Sequence, residues 1–133
     1  MKAMQEKRHI KLLDSTLRDG AQGEGVSFSL QDKVNIAQTL DEFGIDYIEG
    51  GNPGSNPKDM EFFRHVRGTR WKHARLCAFG ATRRGGVAVE ADENLQALLA
   101  ADTPSVVVFG KSCISQVENV LRVSAEQNLA MIG

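Results

Sequence analysis

The chain has 133 residues, enough for one domain built around a single hydrophobic core. Hydrophobic residues make up 41% of it and charged residues 25%, which is typical of a globular protein. The net charge of −1 argues against nucleic-acid binding, and no apolar stretch approaches the roughly 20 residues that span a bilayer.

The charged start of the chain, Met1–Arg8, has no apolar segment behind it and therefore does not resemble a secretory signal. We expect a cytoplasmic protein whose residues 1–9 form a flexible tail. Cys77 and Cys113 lie far apart inside apolar segments. This placement predicts two buried, reduced thiols rather than a disulfide.

The first predicted strand, Ile10–Leu13, is short and apolar and is expected to be buried. A helix is predicted next, because Ser29 can cap its first turn together with Asp32, three residues further on. Apolar residues then recur at helical spacing, and Gly44 is a typical helix terminator.

The alternation of strand and helix recurs three more times along the chain. The further strands are predicted at residues 47–48, 74–79 and 106–109. The further helices are predicted to begin at Asn56–Pro57, at Asp92 and at a capping box of Ser115 and Glu118, and residues 125–132 are also predicted to be helical. Four strand–helix units of about 30 residues each are typical of a parallel α/β architecture.

Polar and glycine-rich residues follow all four predicted strands. These segments are residues 14–22, 49–56, 80–86 and 110–112. Because parallel sheets place their ligand sites at the carboxyl ends of the strands, we expect the four segments to meet on one face.

Two charged residues follow the first strand. Asp19 could bind a divalent cation through its hard oxygen atoms, although spacing alone favours a turn acid bonded to backbone amides. Arg18 could hold a carboxylate or a developing oxyanion with its planar fork. Alternatively, it forms a structural salt bridge to Asp14 or Glu49.

Two further candidates follow the second and third strands. Glu49 directly precedes two glycines and could transfer a proton or support a metal ligand, or it could anchor the loop. Arg83, beside a second arginine and two glycines, could bind a carboxylate or phosphate, although a solvated loop is the more frequent role. A nucleotide-binding flavodoxin-like domain is disfavoured, because no phosphate-cradling loop follows the first strand.

The segment LLDSTLRDGAQ at residues 12–22 resembles the opening signature of the DRE-TIM metallolyases. This superfamily contains isopropylmalate, homocitrate and citramalate synthases and hydroxymethylglutaryl-CoA (HMG-CoA) lyases. Three further segments are similar to the citramalate synthase branch: YIEGGNPGSNPKDMEFF at 47–63, AFGATRR at 78–84 and NLQALLAADTPSVVVFGKS at 94–112. The resemblance runs from about residue 10 to the end of the chain.

The resemblance implies the amino-terminal half of a TIM (β/α)₈ barrel, with about four strands and four helices, as one partial domain. It implies that Arg18 and Glu49 are catalytic, that Arg18, Gln22 and Arg83 line the substrate site, and that Asp19 is a metal ligand. The implied cofactor is a divalent metal (Mg, Mn or Zn), with acetyl-CoA as co-substrate.

The implied reaction is a Claisen-type condensation of acetyl-CoA with a 2-oxo acid, with pyruvate giving citramalate for branched-chain amino-acid biosynthesis. The alternatives are a 2-isopropylmalate synthase, a homocitrate synthase or an HMG-CoA lyase-like enzyme. The family's His-x-His metal ligands are absent from these 133 residues, so this polypeptide alone is expected to show little or no turnover. A different alternative is a non-catalytic half-barrel that self-associates, for instance as a homodimer, through its open sheet edges.

Overall fold

The computed structural model describes residues 8–133, so the predicted tail, apart from Arg8 and His9, lies outside the described residues. Four parallel strands form one sheet in the order β1-β2-β3-β4. The strands are β1 (Leu13–Asp14), β2 (Tyr47–Gly51), β3 (Arg75–Ala81) and β4 (Ser105–Phe109). The predicted parallel α/β architecture with four strands is therefore confirmed.

Helices connect the strands and follow the last one. They are α1 (Leu30–Phe43), α2 (Pro57–Val66), α3 (Glu93–Ala100), α4 (Ile114–Gln116), which continues as a π-helical turn (Val117–Leu121), and α5 (Ala125–Ile132). The described residues thus hold five α-helices, whereas the resemblance implied about four. The fifth is residues 125–132, which the sequence also predicted to be helical and which residues 122–124 separate from the helical segment after β4. None of these helices is both long and apolar enough to cross a membrane.

Three of the predicted helix starts and one predicted helix end are confirmed. Ser29 and Asp32 form a reciprocal capping box on α1. Asn56 and Asp92 accept hydrogen bonds from the first-turn N–H groups of α2 and α3. Gly44 ends α1 at φ 94°, a left-handed conformation that glycine adopts without steric cost.

The predicted capping box of Ser115 and Glu118 is wrong. The backbone becomes helical after Cys113, which is extended at φ −78° and ψ 121°, so Ser115 lies inside the first turn of α4. From there its carbonyl oxygen accepts from Asn119 Nδ2 at 2.9 Å. Cys113 itself is exposed, which corrects the prediction that both thiols are buried, whereas Cys77 is buried as expected.

The predicted burial of the first strand is also wrong. Strand β1 comprises only two residues, and the side chains of Ile10, Leu12 and Leu13 are 77%, 53% and 50% exposed. The physical reason is position: β1 is an edge strand, and within residues 8–133 it pairs with β2 and has no strand on its other side.

The hydrophobic core lies between one face of the sheet and helices α1 to α3. Its largest fully buried apolar members are Leu17, Ile48, Phe62 and Phe63. Because side chains alternate along a strand, Ile48 faces this core and Glu49 faces the opposite side. In a closed barrel that opposite side is the interior.

Asp41 near the end of α1 fixes the start of β3. Its carboxylate accepts from the backbone N–H groups of Lys72, His73 and Ala74 at 2.8, 2.8 and 2.7 Å. Burial alone would raise the pKa of Asp41, but these hydrogen bonds hold it below the ordinary value of 3.8. A lowered folded-state pKa stabilises the fold above the ordinary pKa, and this contribution is lost as pH falls through the folded-state pKa.

We expect Asp41→Asn to lower the free energy of unfolding at pH 7 by about 2 kcal/mol, because an amide presents its NH₂ group to backbone donors. The difference from wild type should begin to shrink as pH falls below the ordinary pKa of 3.8, and should be lost as pH falls through the lower folded-state pKa, where the wild-type carboxylate becomes protonated. Urea unfolding at several pH values measures this. The neighbouring variant Glu42→Gln, at an exposed position, is the control and should stay within about 0.5 kcal/mol. A difference that is independent of pH would contradict the role of the ionised carboxylate.

Candidate functional site

The loops that follow β1 and β2 meet at the carboxyl ends of these strands. The first loop begins with a tight turn in which the N–H groups of Arg18, Asp19 and Gly20 all donate to the Ser15 carbonyl, at 2.8 to 3.1 Å. Leu17 inside this turn is completely buried. The turn is therefore anchored in the core, and the side chain of Arg18 is directed from a fixed backbone.

Arg18 is held on three sides. Its Nε donates to Glu49 Oε2 at 2.6 Å, and its Nη1 donates to Asp19 Oδ1 at 3.2 Å. Its guanidinium carbon lies 4.1 Å from the centre of the Phe79 ring, within the range of a cation–π contact. Of the two salt-bridge partners considered from the sequence, the structure has Glu49; Asp14 instead accepts from the backbone and hydroxyl of Thr16.

The Arg18–Glu49 pair is largely shielded from water. The Glu49 side chain is 4% exposed and the Arg18 side chain is 20% exposed. Cys77, the register partner of Glu49 on β3, has a raised pKa because it is buried and because the Glu49 carboxylate lies near it. Its thiol is therefore protonated at neutral pH.

Arg18 lines a cleft of about 190 Å³ between the two loops. The other polar side chains in its wall are those of Gln22, Ser27, Lys33, Asn52, Ser55, Asn56, Lys58 and Asp59. Three of the lining residues are cationic, and one is acidic. The wall can therefore receive a small anion such as a carboxylate, through charged and amide donors.

Lys33 and Asp59 form a buried ion pair behind this cleft. Lys33 Nζ donates to Asp59 Oδ1 at 2.5 Å and to the Gly50 carbonyl at 2.9 Å. Asp59 Oδ2 accepts from the backbone N–H of Asn52 at 2.8 Å. Both carboxylate oxygens of Asp59 thus accept a hydrogen bond, and the ion pair fixes the backbone immediately after Glu49.

Gly51 lies directly against this pair. A Cβ atom at residue 51 would come within 2.3 Å of Asp59 Cγ, and its φ of 147° is one that residues with a side chain rarely adopt. Sequence reasoning identified neither Lys33 nor Asp59 as important. For Lys33 the helical spacing of α1 offered a signal. Lys33 comes four residues before Ala37 and Asp41 four residues after it, so both charged side chains lie on the buried face of the helix.

Asp19 is the predicted metal ligand, and its side chain is 67% exposed. It contacts Arg18 but does not line the cleft. Within residues 8–133 no three histidine, cysteine, aspartate or glutamate side chains are grouped so that they could hold a metal ion. The described residues therefore supply one candidate oxygen ligand and do not by themselves form a metal centre.

Arg83, the remaining predicted substrate residue, lies elsewhere. Its Nη1 donates to the Val87 carbonyl at 3.1 Å and its Nη2 donates to the Ala130 carbonyl at 2.8 Å. It lines a second cleft, beyond β3 and β4. The structure therefore brings Arg18, Asp19 and Glu49 into direct contact and places Gln22 in the same cleft wall as Arg18, whereas Arg83 is not part of this group.

Comparison with known proteins identifies relatives across nearly the whole chain. The HMGL-like family model matches residues 9–132. An (R)-citramalate synthase of Aquifex aeolicus is 51% identical over 123 residues, and that of Geobacter sulfurreducens is 48% identical over 123 residues; each match covers 92% of this chain and 23% of the relative. A 2-isopropylmalate synthase of Listeria welshimeri is 34% identical over 125 residues, covering 94% of this chain and 23% of the relative.

A solved structure supports the fold. The HMG-CoA lyase of Bacillus subtilis superposes with a TM-score of 0.64 at 20% sequence identity, covering 92% of this chain and 40% of that chain. This likeness confirms the predicted half of a TIM barrel. The chain spans less than a quarter of the length of the curated relatives given above.

Proposed function

Because the chain belongs to the HMGL-like family, we propose that it carries part of the active site of an enzyme that condenses acetyl-CoA with a 2-oxo acid. The proposed acceptor is pyruvate and the product citramalate. The support is the 46–51% identity to five (R)-citramalate synthases, compared with 34% to the 2-isopropylmalate synthase. The alternatives are the 2-isopropylmalate or homocitrate synthase reaction and an HMG-CoA lyase-like reaction.

In this reaction the methyl group of acetyl-CoA loses a proton, and its carbon forms a bond to the ketone carbon of the 2-oxo acid. The ketone oxygen becomes an alkoxide and is protonated, and water then cleaves the thioester to release the thiol of CoA. The catalytic requirement is a fixed positive group beside the ketone oxygen and the carboxylate of the acceptor. The observation that carries the proposal is the position of Arg18, held rigidly in the wall of a cationic cleft.

Arg18 is proposed to donate its remaining N–H groups to the acceptor's carboxylate and to the developing alkoxide. Because Nε is already bonded to Glu49, the guanidinium does not need to reorganise as the charge forms. Glu49 is proposed to act through Arg18 by fixing its orientation. Gln22 is proposed to hydrogen-bond the acceptor from the same wall, since its amide can donate and accept.

The test is a chimera in which residues of this chain replace the matching 123-residue segment of the Geobacter sulfurreducens relative. We expect the chimera to release free thiol from acetyl-CoA only when a 2-oxo acid is present, and faster with pyruvate than with 2-oxoisovalerate. The isolated 133-residue chain is the control and should show little or no turnover.

Two outcomes would count against the proposal. A chimera that folds, by circular dichroism, but releases no thiol with pyruvate would show that these residues do not support the condensation. A preference for 2-oxoisovalerate would favour the 2-isopropylmalate synthase reaction instead.

A further inference from the structure

A second cleft lies at the carboxyl ends of β3 and β4. Its volume is about 440 Å³, within the usual range for sites that bind small molecules. The loop after β3 forms one wall, and the turn that follows α4 forms the other. The two clefts share no lining residue, so this one is separate from the cleft that contains Arg18.

Four cationic side chains line this second cleft, and in the described part of the chain no acidic side chain does. They are Arg83, Arg84, Lys111 and Arg122. Within residues 8–133 none of the four forms a salt bridge, whereas Arg18, Lys33, Arg67 and Lys72 do. Four like charges around one cleft repel one another unless an anion is present, so the unpaired charge favours an anionic ligand.

One of these cations is fixed in place and another has an acidic neighbour. Arg83 is oriented by the carbonyls of Val87 and Ala130, so its charge is positioned without being neutralised. The backbone N–H of Arg84 donates to Asp92 Oδ2 at 2.7 Å. The Asp92 carboxylate is 1% exposed and also accepts two N–H groups at the start of α3, so it does not face a ligand in the cleft.

Apolar side chains also line the cleft, beside these cations. Phe109, Val120, Val123 and Met131 contribute to this lining, and Val120 is 62% exposed. A hydrocarbon surface of this kind beside cations is complementary to a ligand that carries anionic groups on a partly apolar body.

The wall formed by the turn after α4 has an irregular backbone. The turn after α4 is a π-helix, a conformation that occurs frequently at functional sites, and Arg122 at its end is left-handed at φ 57°. The loop after β3 approaches the turn so closely that a Cβ atom at Gly85 would lie 2.8 Å from Val123 Cγ1. The two walls are thus packed together at this point.

We propose that this cleft binds the phosphoryl groups of an organic phosphate, whose apolar part packs against Val120 and Val123. Phosphate oxygens match arginine because its planar fork donates two parallel hydrogen bonds. The organic phosphate is assigned as a coenzyme A thioester, an assignment that rests on the proposed function; free diphosphate shares the phosphoryl chemistry but has no apolar part, so the titrations below distinguish the two. The two clefts lie at the carboxyl ends of the same sheet, in which β1 and β4 are three strand spacings apart, about 14 Å.

The test is calorimetric titration of the 133-residue chain with inorganic pyrophosphate at low ionic strength. We expect saturable binding that the double variant Arg84→Gln/Arg122→Gln weakens by about tenfold or more. The matched control is Arg64→Gln/Arg70→Gln, which makes the same change in net charge at two exposed arginines outside the cleft. Thermal unfolding by circular dichroism verifies that both pairs of variants remain folded.

Absence of saturable binding would overturn the proposal, as would an equal loss in both double variants, since that indicates diffuse attraction. Parallel titrations with coenzyme A and with pantetheine, which lacks phosphate, identify the source. If coenzyme A binds more tightly than pyrophosphate and Val120→Ser weakens its binding, the result supports a coenzyme A thioester as the ligand. Equal affinity of coenzyme A and pyrophosphate overturns the apolar contact, and pantetheine binding as tightly as coenzyme A overturns the phosphate site. None of these titrations involves turnover, so they can succeed even if the chimera is inactive.

Discussion

Replacing Lys33 by methionine is expected to lower the free energy of unfolding by about 3–5 kcal/mol. Lys33 and Asp59 are both almost completely shielded from water, with side chains 6% and 10% exposed. Methionine has a similar length but no positive charge, so the Asp59 carboxyl group would remain buried without its partner. The Gly50 carbonyl would also lose its donor.

The effect should be specific to the buried position. Lys58→Met is the matched control, because Lys58 is exposed in the wall of the same cleft; we expect it to change stability by less than about 0.5 kcal/mol. Combining Lys33→Met with Asp59→Asn should cost less than the sum of the two single variants, because the second substitution removes the uncompensated charge. Urea unfolding of these four variants and of the wild-type chain measures the differences in free energy of unfolding. Wild-type stability of Lys33→Met would refute the importance of the pair.

Replacing Arg18 by lysine in the chimera is expected to lower kcat/KM for pyruvate by about 10²–10³-fold. A lysine ammonium is a single point of charge on a flexible chain. It cannot bond Glu49 as the Arg18 Nε does and also present a planar pair of donors to the substrate. Because the charge is kept, Glu49 is not left buried without a cation, so the loss should be seen in activity more than in folding.

The controls separate catalysis from structure. Arg64→Lys makes the same change at an exposed position of α2 and should leave kcat/KM unchanged. Glu49→Gln keeps an oxygen acceptor for Nε and should reduce kcat/KM less than Arg18→Lys does. If the Arg18→Lys chimera retained activity within a few-fold of the parent, Arg18 would not be the group that stabilises the alkoxide.

Local sequence patterns predicted most of the secondary structure correctly, because each depends on a few neighbouring residues. The Ser29 capping box, the Asn56 and Asp92 caps and the Gly44 terminator all act within one turn of their own helix. The same patterns failed where a neighbour in space decided the outcome. The apolar first strand is exposed because it lies at the edge of the sheet formed by residues 8–133, a position that residues 10–13 alone do not reveal.

The sequence by itself determined the succession of strands and helices, the parallel arrangement and the family, because these follow from periodicity, caps and a contiguous signature. Only the tertiary structure decided which charged side chains pair with each other. Arg18 bonds Glu49, 31 positions away, rather than Asp14, and Lys33 bonds Asp59, 26 positions away. Arg83 was grouped with Arg18 on sequence, yet it lies in a different cleft. The physical reason is that an ion pair depends on which strands and helices become adjacent and in what register, and side chains distant in sequence are brought together only when the sheet forms.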